Sequence, residues 1–276
     1  MIVDLLRLCR PYYAVPMSMA YLLTVYYARG GNMAGHWLAD GLSAAATMLV
    51  ISAAYVLNDL FDLASDRVNA PHRPIAAGKV SRKLAGVWGG ALTVAGLALA
   101  TERWPFLPAL TAVAVGLLLY NAFSKRLGWA KPLLVAAMMT SIYPLALAQA
   151  DGAAGPRAWS LAVFPAWLFP TAFAYELLKD IRDIPGDRVA AADGLVHRHP
   201  RRWRLVANVM LVAPCVLLIW PFLLGCRWIY LAGAAMATGL AVASTFQSER
   251  HAIGAVYGEC LILAVSAAVD VMVFGV

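Results

Sequence analysis

The sequence predicts an all-α polytopic membrane protein, and three observations carry that expectation. Of its 276 residues, 62% are hydrophobic and only 13% charged, where a soluble domain carries about a quarter of its residues charged. Stretches of about 20 mostly apolar residues, long enough to cross the hydrocarbon core of a bilayer, follow one another from end to end. Lys and Arg are divided unevenly between alternate connections, as cytoplasmic retention of basic loops requires. No stretch remains for a soluble domain, so residues 1–276 read as a single integral membrane domain.

Charges and Gly/Pro clusters divide the apolar runs into nine predicted spans near residues 12–28, 42–61, 84–101, 105–121, 132–149, 159–178, 205–224, 228–246 and 253–275. The first run follows Arg10-Pro11 and reads as a span rather than a cleavable leader. With nine spans and a cytoplasmic N-terminus, 18 of the 22 basic residues lie inside, and only Arg29, Arg103, Arg157 and Arg227 lie outside. The C-terminus then falls outside, and the expected location is a cell inner membrane. The formal charge of +7 follows from this topology. A nucleic-acid partner would require a basic surface independent of it, and the sequence offers none. Cys9, Cys215, Cys226 and Cys260 lack metal or redox spacing, and no His pair has zinc-site spacing on a helix.

The unusual feature is acidic. "NDLFDLASDRVNAPHRP" places Asp59, Asp62 and Asp66 directly after the second apolar run. If that helix continues past the membrane edge, the three fall within about 60° of one another, on one face. "YELLKDIRDIPGDR" repeats the spacing after the sixth run with Asp180, Asp183 and Asp187, and Glu176 lies one turn earlier. The charge bias puts both ladders at the cytoplasmic face. Solvated helix ends account for any single Asp. Two repeated ladders in a chain with only 15 acidic residues call for a counter-cation, because like charges on one stripe repel.

Hard carboxylate oxygens suit Mg2+, which keeps much of its water and is held by a few carboxylates together with substrate phosphates. Arg67, Arg73 and Lys79 follow the first ladder, Lys179, Arg182 and Arg188 interleave with the second, and Lys125 and Arg126 stand in "LYNAFSKRLG". Carboxylate, metal and cation converging at a membrane edge describe a pocket for a strongly charged oxyanion such as diphosphate. A cavity between spans accepts a hydrocarbon tail, so the expected ligand is a lipid diphosphate. Asn58 and Asn69 read as amide donors or neutral ligands at this site, or equally as caps and turns.

The first ladder resembles the N-D-x-x-D-x-x-x-D signature of the UbiA-type intramembrane prenyltransferases, here Asn58, Asp59, Asp62 and Asp66, continued by Arg67, Asn69, Arg73 and Pro74. The second resembles that superfamily's other aspartate-rich motif. The resemblance spans essentially the whole chain. It implies nine helices around a central cavity open to lipid, capped by the two motif-bearing loops. It also implies two Mg2+ ions bound with a polyprenyl diphosphate, loss of diphosphate to leave an allylic carbocation, and prenyl transfer to an aromatic or glycerophosphate-type acceptor, hydrophobic or amphipathic. Carried over, Asp59, Asp62 and Asp66 would hold one ion, directly or through water, and Asp180, Asp183 and Asp187 the other. Asn58, Arg67, Arg73, Lys125 and Lys179 are candidates for the diphosphate, and Tyr55, Phe61, Tyr120, Tyr143 and Tyr175 for cation stabilisation.

Two details distinguish this chain. Tyr120 is followed by Ser124 and then Lys125, one residue off the family's Tyr-to-Lys spacing. The second motif, with Glu176, Lys179-Asp180 and Gly186-Asp187, resembles members that make ether lipids from geranylgeranyl diphosphate, or homogentisate-type quinone precursors, more than the 4-hydroxybenzoate branch. The alternative is a transporter for divalent cations or phosphorylated lipid, for which charge belongs near the midplane. Glu259 and Asp270 in the last span are the residues that favour it.

Overall fold

Residues 58–66 span the last turn of one helix, a bend at Asp62 and the first turn of the next, and a turn-rich stretch over residues 70–81 follows. The computed structural model describes residues 1–123, 127–128, 130–153, 156–189 and 196–275. The α-helices are α1 (Ile2–Leu8), α2 (Pro11–Ala28), α3 (Trp37–Phe61), α4 (Leu63–Asn69), α5 (Arg82–Leu99), α6 (Phe106–Phe123), α7 (Ala130–Thr140), α8 (Ile142–Ala150), α9 (Ser160–Val189), α10 (Pro200–Val212), α11 (Trp220–Leu223), α12 (Trp228–Ser244) and α13 (Glu249–Phe274).

Among the described residues, seven helical stretches are long and apolar enough to cross a membrane: Trp37–Phe61, Arg82–Glu102, Phe106–Phe123, Ala130–Ala150, Ser160–Arg188, Pro200–Leu223 and Glu249–Phe274. Many of the side chains they expose are apolar, with Val94 68%, Val216 71% and Met272 75% exposed. Such faces suit lipid and would be costly in water. The chain is therefore an all-α, multi-pass membrane protein. Two of the nine predicted spans fall outside this set. α12 is apolar but only 17 residues long, and α2 dilutes its apolar residues with five tyrosines and two prolines.

Two other predicted spans are interrupted. That near 132–149 is α7 and α8, meeting at Ser141. That near 205–224 passes from α10 through a 3-10 stretch, Ala213–Ile219, into α11. Pro214 and Pro221 account for the second interruption, since proline removes a donor and crowds the preceding turn.

The chain forms two compact units. The first comprises Met1–Met19, Trp37–Lys131 and Asp183–Leu195. In it α3 lies closely on α5, and Gly96 permits this: a Cβ there would stand 2.9 Å from Val50 Cγ2 and 3.0 Å from the Ala46 carbonyl oxygen. Leu8 from α1, Val56 from α3, and Ala85 and Leu92 from α5 close its core with Ile75 and Val80.

The second unit comprises Ala20–His36, Pro132–Arg182 and Val196–Val276. α12 and α13 pack together through Gly233, where a Cβ would collide with Ser266, the small-residue contact that membrane helices favour. Phe164 centres an aromatic group with Tyr27, Tyr230 and Tyr143 at 5.6, 6.0 and 6.3 Å between ring centroids. Asp270 is structural, because its carboxylate accepts the N–H groups of Arg227 at 2.8 Å and Tyr230 at 3.1 Å. It thereby satisfies donors at the start of α12 that have no partner within the helix.

Candidate functional site

α3 is 25 residues long, about 37 Å at 1.5 Å per residue, so its end can project beyond a hydrocarbon core about 30 Å thick. That end carries Asn58 and Asp59. The expectation of one continuous helical stripe is corrected here: α3 stops at Phe61, and Asp62 turns the chain into α4 with φ −92° and ψ 10°. Helix-type bonds bridge the bend, from Asp62 N–H to the Asn58 carbonyl and from Asp66 N–H to the Asp62 carbonyl, each 2.9 Å. The chain is redirected without leaving its backbone donors unpaired.

Asp59 is 2% and Asp66 6% exposed, a burial that charged carboxylates tolerate only with partners. Two guanidinium groups supply them. Arg10 pairs with Asp59, and Arg73 Nη1 lies 2.5 Å from Asp66 and 3.3 Å from Asp59. Arg10 also lies over the Tyr55 ring, 4.9 Å from its centroid, and its backbone is left-handed at φ 46°, an uncommon conformation for a side-chain-bearing residue. Burial pushes the Asp66 carboxyl up to about 6, outweighing the opposing effect of Arg73. Asp66 Oδ2 is buried without a hydrogen-bond partner among the described residues.

Asn58 donates its side-chain amide to Asp62 Oδ2 at 2.9 Å and to Asn121 Oδ1 at 3.4 Å, and Asn121 in turn donates to the Ala54 carbonyl at 2.9 Å. These bonds tie the Asn58 amide to Asp62 of its own motif. Arg67 is exposed.

The second motif stays on one helix. α9 has 30 residues and runs through Asp180, Asp183 and Asp187. In the first unit, Asn69 at the end of α4 meets this stretch twice. Its Nδ2 donates to the Asp183 carbonyl and its Oδ1 accepts from Gly186 N–H, both at 2.9 Å. Elements of the two motifs are therefore in direct contact. Asp183 and Asp187 are half-buried there. In the second unit Asp180 is buried, and Lys179 Nζ pairs at 2.7 Å with Glu176, which is 1% exposed. Lys179 also stands 5.7 Å from the Tyr175 ring centroid. Lys125 and Arg126 lie outside the described residues.

No group of three His, Cys, Asp or Glu side chains stands ready to hold a metal ion among the described residues. The donor set nevertheless fits a hard divalent cation. It is made of carboxylates, Asp66 offers a buried oxygen with no hydrogen-bond partner among the described residues, and Mg2+ binds through one or two carboxylates plus waters and phosphates rather than in an all-protein cage. Three site features were missed in the sequence. Arg10 reads there as a topological charge, Asn121 draws no reading of its own, and the pairing of Asn69 with Gly186 has no local signal.

Fold and site together define a polytopic membrane protein that gathers carboxylates and guanidinium groups at its helix ends. The model of the UbiA prenyltransferase family matches residues 17–255, and the chain belongs to that family; it is a prenyltransferase. The Digeranylgeranylglyceryl phosphate synthase of Methanoregula boonei is 34% identical over 228 residues, 82% of this chain and 79% of the relative. A UbiA homolog from Aeropyrum pernix K1 superposes with a TM-score of 0.73 at 18% identity, over 95% of this chain and 96% of that one. A UbiA homolog from Archaeoglobus fulgidus bound to GPP and Mg2+ gives 0.71 at 15% identity, over 98% and 100%. The identities of these two make them likenesses of fold.

Proposed function

We propose that this protein transfers a polyprenyl group from its diphosphate to a glycerophosphate-type acceptor, in a Mg2+-dependent reaction at the cytoplasmic face of a cell inner membrane. The observation that carries this reading is the 34% identity, over 82% of the chain, with a digeranylgeranylglyceryl phosphate synthase. The second motif's likeness to ether-lipid members of the family agrees with it, and so does the Archaeoglobus homolog bound to GPP and Mg2+.

The proposed architecture is a single domain over residues 1–276 with nine spans around a cavity open to lipid. In it α2 and α12 join the seven long helices; at 18 and 17 residues they reach about 25 to 27 Å, close to the hydrocarbon thickness. The N-terminus and both motifs face the cytoplasm, and the C-terminus lies outside.

Asp59, Asp62 and Asp66 would hold one Mg2+ ion, directly or through water, and Asp180, Asp183 and Asp187 would hold a second in the same way. Asn58, Arg67, Arg73, Lys125 and Lys179 take the diphosphate oxygens. Bound Mg2+ stabilises negative charge on the leaving diphosphate. Cationic side chains add to that stabilisation, and the apolar helix faces keep water from the allylic cation. The bond between the prenyl C1 and the diphosphate oxygen breaks, its electron pair leaving with diphosphate. The acceptor hydroxyl oxygen then bonds to C1 and its proton is released.

A matrix assay tests the reading: purified protein, Mg2+, prenyl diphosphates of several lengths, and glycerophosphate, phenolic and tetrapyrrole acceptors, followed by mass spectrometry. Prenylated glycerophosphate is the expected product. Turnover confined to phenolic or tetrapyrrole acceptors would overturn the acceptor assignment.

A further inference from the structure

We infer that Asn69 is a positioning residue, a latch that holds the second aspartate motif in register with the first, and that residue 186 is glycine to let it close. This rests on the proposal that both motifs act on one diphosphate.

Asn69 stands three residues after Asp66, so the two share a face of α4. Its amide makes two bonds at once, giving a proton to the Asp183 carbonyl and taking one from Gly186 N–H, each at 2.9 Å. Only one orientation of the amide satisfies both partners, which fixes its rotation. The stretch it grips is weak in helix-forming terms. Pro185 has no N–H to return to its helix, and Gly186 adds backbone freedom, so an external partner is what orders the turn bearing Asp183 and Asp187. A Cβ at position 186 would overlap the Asn69 amide. Both of these bonds run to backbone groups and not to the carboxylates. It sets where the carboxylates of the second motif stand relative to Asp66.

The test uses Asn69→Ala, Gly186→Ala, their combination, and Asp62→Asn with Asp183→Asn as references. Hydrogen exchange over residues 181–188 of the metal-free protein is read first. Stabilisation by Mg2+ with inorganic diphosphate, and turnover against Mg2+ concentration, follow. Losing two hydrogen bonds predicts exchange about tenfold faster, and losing a supporting partner of a metal site predicts about tenfold more Mg2+ for half-maximal response. Gly186→Ala, which displaces the amide by a different route, has the same effect, and the double variant is no worse than either single one. Unchanged exchange and Mg2+ requirement in Asn69→Ala, or additive losses in the double variant, would overturn the latch. If the two Asp→Asn references abolish turnover while Asn69→Ala changes nothing, the latch alone fails. If the references also keep full turnover, the two-motif site fails with it.

Discussion

Arg73 serves Asp59 and Asp66 together: its Nη1 lies 3.3 Å from one carboxylate and 2.5 Å from the other. A single cation thereby joins the last turn of α3 to α4 across the bend at Asp62. Two buried acids from different helices are held as one cluster.

Truncating that cation has a cost that can be measured. Breaking a buried ion pair leaves an uncompensated charge and costs about 3 to 5 kcal/mol. Arg10 still serves Asp59, so Arg73→Ala is expected to destabilise the metal-free protein by about 2 to 3 kcal/mol on the same scale. Arg73→Lys recovers part of this, because an ammonium keeps the charge but not the planar fork. Thermal unfolding in detergent, without and with Mg2+, reads both, and Mg2+ narrows the gap by supplying another cation to the acids.

Asn121 acts at one remove from the acids. Its replacement by Leu, similar in size, removes the acceptor behind Asn58 and the donor to the Ala54 carbonyl. Loss of such outer partners costs about 10 to 100-fold in activity or metal affinity. The expected pattern is a lower kcat with protein that still folds and inserts, checked by steady-state kinetics beside a melting curve. Equal turnover in Asn121→Leu would show that Asn58 orients itself.

Packing in the first unit separates two glycines of α5. Alanine at Gly96 drives a methyl group against Val50 and the Ala46 carbonyl and is expected to cost about 1 to 3 kcal/mol. Alanine at Gly90 meets nothing within 4 Å and is neutral or slightly stabilising. Paired melting curves for the two variants make the comparison internally controlled.

Much of this was legible in the letters, and the illegible parts share a cause. Apolar length and basic asymmetry reveal a multi-pass helical protein because the bilayer imposes both on any sequence. The aspartate ladders are legible because their spacing is local. The bend at Asp62 is not: "NDLFDLASDR" contains neither Gly nor Pro, and all its backbone spacings suit a helix. The pairing of Arg10 with Asp59, 49 residues apart, and of Asn69 with Gly186, 117 residues apart, are tertiary events with no local period. Interruption at Pro214 could have been read, but apolar length masked it. Asp270, which suggested an ion pathway, proves to be a helix cap for α12.

A shared site is tested most sharply by product formation in Asp62→Asn and Asp183→Asn, each purified as folded protein, with Mg2+, the prenyl diphosphate that the wild-type protein uses in the matrix assay, and a glycerophosphate acceptor. Either substitution, one in each motif, is expected to abolish turnover while the melting behaviour of the metal-free protein persists. Wild-type turnover in either variant would contradict a single site built from both motifs.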